Sequence, residues 1–485
     1  MKSTKIFGFL TITLALILTG CSSDKQVPNK VIKEFGKICN LDFYCGTYDV
    51  PLDYNTSGKT IAIAYSLHLV DSSKPFVFVN PGGPGGSGVN YVYNYKTYFT
   101  PAVYENFNLI GIDTRGSNLS GALRCLSDQE EDLVNSFNPS PANLKRFTEY
   151  YNTTSILFQR CSEKYDQDLK YYNLDNIVKD FEVGRKYFKL PSFNFLGKSY
   201  GAAIGVRYQE LYPLNSGAVI VDGLPSIYGD TANAARVHVS GLEITFDRFK
   251  SYLGSQDSTL GSSELDSQID AIYRSLATPV LIPGTDYYMD QTLFTAALTG
   301  SLYQGYRGYD NLIKNLELAK KGDYNNLYNI GIGLIGKSSK GTYSDMVDYS
   351  YIITCQSVKS ASLAKLYSTL ISNPDSIFAS YNYAAYIPCL HFKFKPSSSV
   401  ASNQGKFLIL ANAFDPITPI QSALEVSKQF PNALLLSNQG DSHTVYSTTS
   451  TCADQAVYQY LTDQTLTNSN CKDDHPVGSK YDSLK

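Results

Sequence analysis

The stretch Phe193-Asn194-Phe195-Leu196-Gly197-Lys198-Ser199-Tyr200-Gly201 decides the fold class of this chain. Its first four residues are typical of a buried strand, and residues 202–212 after it have the pattern of a helix. The Gly-x-Ser-x-Gly motif between them has glycines that allow a tight turn without Cβ clashes. Strand, turn and helix in this order predict a nucleophile elbow, with the hydroxyl of Ser199 projecting from a strained corner above a sheet.

Other short β-rich runs lie on both sides of this stretch, and helical patterns follow several of them. This alternation is typical of a mainly parallel sheet flanked by helices, so we expect the α/β class. Ligand sites in such sheets form at the carboxyl ends of the strands. The predicted strands are residues 60–70, 76–80, 107–113, 193–197, 218–222, 406–412 and 433–437.

Between the fifth and sixth of these strands the alternation stops, and amphipathic segments such as 312–321 and 358–371 predict helices. We therefore expect an α/β-hydrolase core in two parts, with a helical cap inserted between them and a polar tail. An independent tandem domain is the alternative, but it would leave the strands after Lys406 without a sheet. The expected bounds are 39–225 and 397–471 for the core, 226–396 for the cap and 472–485 for the tail.

The first residues have the layout of a secretory signal peptide. Lys2 and Lys5 precede an apolar run at 6–18, which is shorter than the roughly 20 residues of a spanning helix. We therefore expect residues 1–20 to be absent from the mature protein. No later stretch is apolar enough to cross a bilayer.

The small residues before Cys21 resemble the lipobox of bacterial lipoproteins. Cys21 would then carry the lipid, and residues 21–38 would form a polar tether. The expected location is the bacterial cell envelope, with the lipid as the chain's contact with the membrane. Ser22 favours the outer membrane in a cell that has one. An ordinary signal peptide with a chance cysteine is the alternative.

The nine cysteines of the chain, less Cys21, leave eight. An even number in an exported protein predicts disulfides and an oxidising compartment. Since no short paired cysteine spacing with histidine partners is present, we expect neither a metal site nor a cofactor. As a hypothesis, proximity along the chain suggests the pairs Cys39–Cys45, Cys125–Cys161, Cys355–Cys389 and Cys452–Cys471.

The charged residues nearly balance, with 41 Lys and Arg against 44 Asp and Glu and a net charge of −3. Such a chain has no sustained basic surface for a phosphate backbone, so we do not expect a nucleic-acid partner. The expected partner is a peptide substrate, and the sequence leaves the oligomeric state open.

A serine hydroxyl needs a neighbouring base to act as a nucleophile at neutral pH. Of the five histidines, only His443 lies in a loop after a predicted core strand and follows Ser199 in the chain, as the order of this fold requires. It is the predicted base. The others lie in a predicted strand, in the predicted cap or in the tail: His68, His238, His391 and His475.

The third member of a triad is a carboxylate that holds the tautomer of the imidazole. Asp415 follows the strand at 406–412 and lies between Ser199 and His443 in the chain, so it is the predicted acid. Asp222, after the strand at 218–222, is a rival. Asp441 is a weaker rival, because it is only two residues from the histidine.

Acyl transfer also needs backbone donors for the developing oxyanion. The run Asn80-Pro81-Gly82-Gly83-Pro84-Gly85-Gly86 directly follows a predicted strand, and its glycines let main-chain N–H groups approach a substrate oxygen. We choose Gly83 as the first donor, with Gly82 as the alternative, and the N–H of Tyr200 as the second. A phosphate-binding P-loop is excluded, because the run lacks its Gly-Lys-Ser/Thr ending.

Together these motifs resemble the proline-iminopeptidase-like serine peptidases, above all their secreted, tripeptidyl-aminopeptidase-like branch. The resemblance implies a helical cap over the pocket and release of short peptides or single residues from a free N-terminus. It also implies that Asp113 and Arg115 form a structural pair beneath the loops. The matching segments span about residues 39–471: Val50-Pro51-Leu52-Asp53-Tyr54, Pro81-Gly82-Gly83-Pro84-Gly85, Ile112-Asp113-Thr114-Arg115-Gly116, the elbow, Asp415-Pro416-Ile417-Thr418-Pro419 and Ser442-His443-Thr444.

Two departures from this family qualify the implied activity. Pro81 stands where many relatives have histidine. Where relatives often carry an acidic residue near the substrate amine, two places after a cap cysteine, this chain has Gln356 and Ser357 after Cys355. A buried ammonium needs an anionic partner. Hydrolysis of esters or lipids by the same triad is therefore an alternative, and a non-catalytic binding protein of the envelope is a second one.

Overall fold

The structure is a computed structural model, and it describes residues 37–40, 43–135, 143–256, 258–261, 263–373, 375–392 and 403–474. The predicted signal peptide, Cys21, nearly all of the tether and most of the tail, including His475, lie outside these residues. Within them, no helix is both long and apolar enough to cross a membrane.

A ten-stranded sheet forms the centre of the molecule. From one edge to the other its order is β1-β2-β3-β5-β4-β6-β7-β10-β11-β12, and β8 and β9 form a separate small hairpin. The strands are β1 Lys37–Asn40, β2 Phe43–Pro51, β3 Thr60–His68, β4 Phe76–Asn80, β5 Asn108–Ile112, β6 Phe193–Lys198, β7 Ser216–Asp222, β8 Val280–Leu281, β9 Tyr288–Met289, β10 Leu408–Asn412, β11 Leu434–Gln439 and β12 Asn470–Lys472.

All pairings from β5 to β12 are parallel, whereas those among β1, β2, β3 and β5 are antiparallel. This is the sheet of the α/β-hydrolase fold, and the predicted fold class is confirmed. All seven predicted strands are present with small shifts at their ends. The sequence analysis missed the two edge strands, β1 and β12, and the strand β2 beside β1; polar residues interrupt the apolar pattern in these strands.

Helices cover both faces of the sheet and build an additional layer. They are α1 Gly88–Tyr93, α2 Tyr95–Tyr98, α3 Pro101–Tyr104, α4 Asp128–Asn135, α5 Leu144–Tyr165, α6 Leu174–Tyr187, α7 Tyr200–Leu211, α8 Thr231–Leu253, α9 Leu265–Ser275, α10 Gln291–Leu302, α11 Tyr306–Ala319, α12 Asn325–Leu334, α13 Met346–Ser357, α14 Leu363–Ile371, α15 Ala379–Ala384, α16 Ile420–Gln429 and α17 Thr451–Asp463.

The chain between β7 and β10 forms α8 to α15, which is the range predicted as a cap. Helix α5, which the sequence analysis placed in the core, also packs against this layer. Its Phe147 and Tyr150 share a buried apolar cluster with Ala235 of α8 and Leu366 of α14. The helical layer therefore takes residues from both sides of the boundary expected at residue 225. Of the predicted helix at 358–371, only the part from Leu363 onward is helical.

Four disulfides tie these parts together, and they are the four pairs suggested by proximity along the chain. Cys355–Cys389 links two segments of the helical layer, and Cys452–Cys471 links α17 to the edge strand β12. Disulfides form and persist in oxidising surroundings, so the four bridges indicate an extracellular, oxidising compartment.

Candidate active site

Ser199 occupies the sharp corner between β6 and α7. Its φ of +55° and ψ of −123° place a non-glycine residue in strained backbone space, as a nucleophile elbow requires. Both motif glycines are needed for close packing. A Cβ on Gly197 would lie 2.3 Å from the carbonyl oxygen of Gly201, and one on Gly201 would lie 2.7 Å from the carbonyl oxygen of Asn80.

His443 and Asp415 come together at the carboxyl edge of the sheet. They follow the parallel neighbours β11 and β10, whose loops leave the sheet on the same side. Nδ1 of His443 lies 3.1 Å from Oδ1 and 3.2 Å from Oδ2 of Asp415. The carboxylate is fully buried, whereas 11% of the imidazole is exposed. This geometry fits an acid that holds the tautomer of a base.

Thr418 is a third polar group in this cluster, and the sequence analysis gave it no role. Its Oγ1 donates to Oδ2 of Asp415 over 2.9 Å and lies 3.2 Å from Nδ1 of His443. The backbone N–H groups of Ile417, Thr418 and Thr444 also donate to Asp415. Burial would raise the pKa of Asp415, but His443 and these donors hold it below its ordinary value. The carboxylate therefore stays ionised although it is buried.

The rival Asp222 has another task. Its carboxylate accepts the backbone N–H groups of Val445 and Tyr446 at 2.8 and 2.9 Å, and it makes no hydrogen bond to His443 among the described residues. Burial raises the pKa of Asp222 to about 6. Asp222 thus anchors the chain just after the histidine.

The second rival, Asp441, joins the histidine loop to the helical layer. It accepts hydrogen bonds from Arg248 Nε at 3.2 Å, from Tyr309 Oη at 2.8 Å and from the backbone N–H of Tyr306 at 3.0 Å. The N–H of His443 itself donates to the carbonyl oxygen of Tyr303. The loop that carries His443 is therefore held by α8, by α11 and by Tyr303 between α10 and α11.

The glycine-rich loop after β4 lies against the elbow. A Cβ on Gly82 would lie 2.4 Å from the carbonyl oxygen of Lys198, and the N–H of Gly82 donates to Oδ1 of Asn80 over 2.9 Å. In contrast, the N–H groups of Gly83 and Tyr200 have no partner within the described part of the chain. These two donors are thus the pair available for an oxyanion.

Two cavities meet at Ser199 and Met346. The inner cavity, of about 330 Å³, lies under the helical layer and is also lined by Gly83, Tyr200 and helices α8 and α13. The outer cavity, of about 810 Å³, is also lined by His443. Ser199 and His443 therefore both line the outer cavity. Neither Ser199 Oγ nor His443 Nε2 makes a hydrogen bond with the described residues, and such contacts often tighten only when substrate binds.

The other described histidines play different parts. His68 stacks on Tyr95 with ring centroids 4.0 Å apart, and Nε2 of His391 lies 2.7 Å from the carbonyl oxygen of Tyr151. His238, which the sequence analysis set aside, lines the inner cavity. No local pattern reveals this, because its position follows from how α8 packs over the elbow. Among the described residues, no group of three or more His, Cys, Asp and Glu side chains could hold a metal ion.

The expected structural pair of Asp113 and Arg115 is wrong in one respect. Both side chains are buried, but Arg115 makes its bidentate ion pair with Asp180 of α6, at 2.6 and 2.7 Å. Asp113 instead accepts from Ser87 Oγ and from the N–H of Val89, at the start of α1. The two residues support the loops separately, because they point to different neighbours.

Residues 375–472 match the family described as TAP-like protein. Serine protease Hip1 of Mycobacterium tuberculosis is 24% identical over 459 residues, which cover 88% of this chain and 86% of the relative. Carboxylesterase B of the same species is 24% identical over 452 residues, covering 87% and 84%. Tripeptidyl aminopeptidase of Streptomyces coelicolor is 25% identical over 213 residues, covering 42% and 37%.

Among solved structures, proline iminopeptidase of Mycobacterium smegmatis aligns over 86% of this chain and 98% of its own, with 12% identity and a TM-score of 0.35. The sequence relatives and the matched C-terminal region bear out the resemblance drawn from the motifs. The chain is a serine hydrolase of the α/β-hydrolase fold, and it is similar in sequence to a serine protease and to a tripeptidyl aminopeptidase.

Proposed function

We propose that the protein is a serine peptidase that removes a short unit from the N-terminus of a peptide. Ser199 is the nucleophile, His443 is the general base and then the general acid, and Asp415 orients the imidazole. The N–H groups of Gly83 and Tyr200 stabilise the oxyanion. The observation that carries this proposal is the meeting of two cavities of different character at Ser199.

The two cavities would hold opposite sides of the bond that is cleaved. The oxyanion donors line the inner cavity, and His443 lines the outer one. Since the histidine gives its proton to the leaving group, the leaving group belongs on the side of His443. The acyl part then enters the inner cavity, whose 330 Å³ is at the small end of ligand sites, which span about 300–1,000 Å³.

The reaction proceeds in two steps, acylation of Ser199 and hydrolysis of the acyl-enzyme. The Oγ of Ser199 attacks the substrate carbonyl carbon while His443 takes the proton of the serine hydroxyl. The C–N bond then breaks, and the leaving amine takes that proton. A water molecule attacks the acyl-enzyme, His443 takes a proton from it, and the ester bond to Ser199 breaks as the proton returns to the serine. The products are an acid and the shortened peptide.

The names of two relatives support peptide hydrolysis, since one is a serine protease and another a tripeptidyl aminopeptidase. A second candidate, ester hydrolysis by the same groups, is favoured by two observations. The inner cavity has no charged side chain among the described residues to bind an ammonium group, and a third relative is named a carboxylesterase.

We also propose that the protein is exported and anchored at the cell envelope. The signal-like residues 1–20 and the lipobox-like Cys21 would export the chain and anchor it by lipid to the bacterial cell envelope. Ser22 after the anchor cysteine would favour the outer membrane in a cell that has one. The four disulfides agree with export to an oxidising compartment, and labelling of Cys21 with a clickable fatty acid would test the anchor.

The test of the nucleophile is Ser199→Ala with a fluorophosphonate probe. We expect labelling and turnover to be lost while the melting temperature stays nearly unchanged, because the hydroxyl has no hydrogen-bond partner to lose. The matched control is Ser372→Ala at an exposed serine of the helical layer, which should keep full labelling. Persistent labelling of Ser199→Ala would reject the assignment. Turnover of esters without any turnover of aminoacyl or tripeptidyl anilides, whether their N-terminus is free or acetylated, would reject the peptidase.

A further inference from the structure

The inner cavity is lined by aromatic and aliphatic side chains and by a few neutral polar ones. Four tyrosines besides Tyr200 contribute to its wall, and Asp, Glu, Lys and Arg contribute nothing to it among the described residues. The outer cavity differs, since Asp345 and Lys198 both line it. The tyrosines of the inner wall are Tyr303, Tyr351, Tyr381 and Tyr386.

The titratable groups of the inner wall show that it disfavours charge of either sign. Burial, with a smaller contribution from His443, lowers the pKa of His238 to about 4, so this imidazole stays neutral at physiological pH. Burial raises the pKa of Tyr303 and of Tyr386 to about 12. A group without an opposite partner is stable here only when it is uncharged, because desolvation penalises the charged form.

Two carboxyl groups that lie behind the inner wall, those of Glu131 and Asp348, do not supply an anion to this cavity. Asn135 lines the inner wall, and its Nδ2 donates to Oε2 of Glu131 over 2.8 Å. Burial and the neighbouring Asp348 raise the pKa of Glu131, so that this pair of carboxyl groups retains a proton. Glu131 and Asp348 are completely buried behind the wall. Asp415 already has His443 as its partner.

Resting on the proposed function, we infer that the inner cavity takes an acyl unit without charge, so that the preferred substrates are peptides with a blocked N-terminus rather than a free one. A protonated α-amine would lose its hydration inside this cavity without gaining a counter-ion, and such a loss is costly. An N-acyl group has no charge to desolvate, and its carbonyl and N–H can bond to the tyrosine and serine hydroxyls of the wall.

The first experiment compares kcat/KM for two peptide anilides that differ only in whether the N-terminus is acetylated or free. We expect the acetylated substrate to be favoured by about 10-fold or more at pH 6.5. The preference should shrink as the pH rises through about 8, because a free N-terminus loses its proton near that pH. A preference caused by shape alone would not change with pH. Equal turnover, or a preference for the free amine, would overturn the inference.

A pair of matched variants tests the cause. Ser350 lines the inner cavity and Ser344 lines the outer one, six positions earlier in the same part of the chain. Ser350→Asp places a carboxyl group on the inner wall, which can ionise as the partner of a bound ammonium group. It should shift the preference toward the free amine, whereas Ser344→Asp should leave the ratio unchanged. An equal shift in both variants would contradict the inference. Loss of fluorophosphonate labelling in Ser199→Ala, measured in parallel, tests the proposed function separately.

Discussion

The inner and outer cavities share Ser199 but differ in origin and character. The outer cavity is built mostly by the core, with Ser87 at the N-cap of α1, Asn90 within α1 and His443 after β11. The inner cavity lies under helices α8, α13 and α15, and no Asp, Glu, Lys or Arg in the described parts of the chain lines it. Under the proposed function, the core supplies the chemical groups and the inserted helices select the acyl group.

The core and the helical layer are nevertheless joined by contacts near the site. The helical layer does more than cover the site, because Tyr303 and the Arg248–Asp441 ion pair hold the loop of His443. The layer is therefore coupled to the position of the base. Changes to the chemical groups should affect all substrates alike, and changes to either cavity should affect one part of the substrate.

The largest expected effect comes from Asp415→Asn, which keeps the shape of the site but no longer fixes the imidazole tautomer. By analogy with triads in general, kcat should fall by about 10³- to 10⁴-fold. The loss should be equal for blocked and free substrates, because the change affects the chemistry common to both. Steady-state kinetics on both anilides checks this, with Asp463→Asn on the exposed end of α17 as control. A loss restricted to one acyl group would contradict the division of labour.

A smaller effect is expected from Ser350→Phe, which fills part of the inner cavity. Substrates with a bulky acyl unit should lose about 10-fold or more in kcat/KM, equivalent to about 1.4 kcal/mol, while a short acetyl ester should lose little. A series of esters with increasing acyl length measures this. Ser344→Phe in the outer cavity is the matched control, and it should not change the dependence on acyl length. If both variants give the same profile, the cavities do not hold opposite sides of the bond.

The smallest effect is expected from Asp345→Asn on the outer wall. The Asp345 side chain is 55% exposed and lies 3.6 Å from Arg124, so its field is largely screened. We expect the charge of Asp345 to favour leaving peptides that carry a positive charge. Its loss should lower kcat/KM for such peptides, relative to acidic ones, by about 2- to 5-fold, which corresponds to an exposed ion pair of at most about 1 kcal/mol. Peptides with Lys or Glu directly after the cleaved bond, compared at low and high salt, provide the measurement. An altered preference among acyl groups would be the contrary result.

Local patterns were sufficient for the elbow and for the loops that carry the proposed triad. The Gly-x-Ser-x-Gly turn has to be tight, because Cβ atoms at Gly197 and Gly201 would collide with backbone. The position of Asp415 and His443 after neighbouring parallel strands could be predicted from the order of the strands. Thr418 could have been found as well, since it follows Asp415 by three residues in a loop already singled out.

Other residues could not be assigned in this way. Arg115 and Asp180 are far apart in the chain, and only the packing of α6 beside the loop after β5 makes them partners. The hydrogen bonds of Asp441 likewise form only because α8 and α11 pack against the loop that carries His443. Helix α5 joined the helical layer although its position in the chain suggested the core.

The sequence by itself determined the α/β-hydrolase sheet, the sharp turn at Ser199 and the order of the groups proposed for catalysis. These follow from short windows in which backbone sterics and the alternation of apolar residues leave few choices. Only the tertiary structure decided that the described residues place no charged side chain on the inner cavity, that His238 lines it and that Asp441 binds the loop of His443 to the helical layer. Burial and electrostatic environment depend on side chains from many distant segments, so they exist only after those segments have packed together.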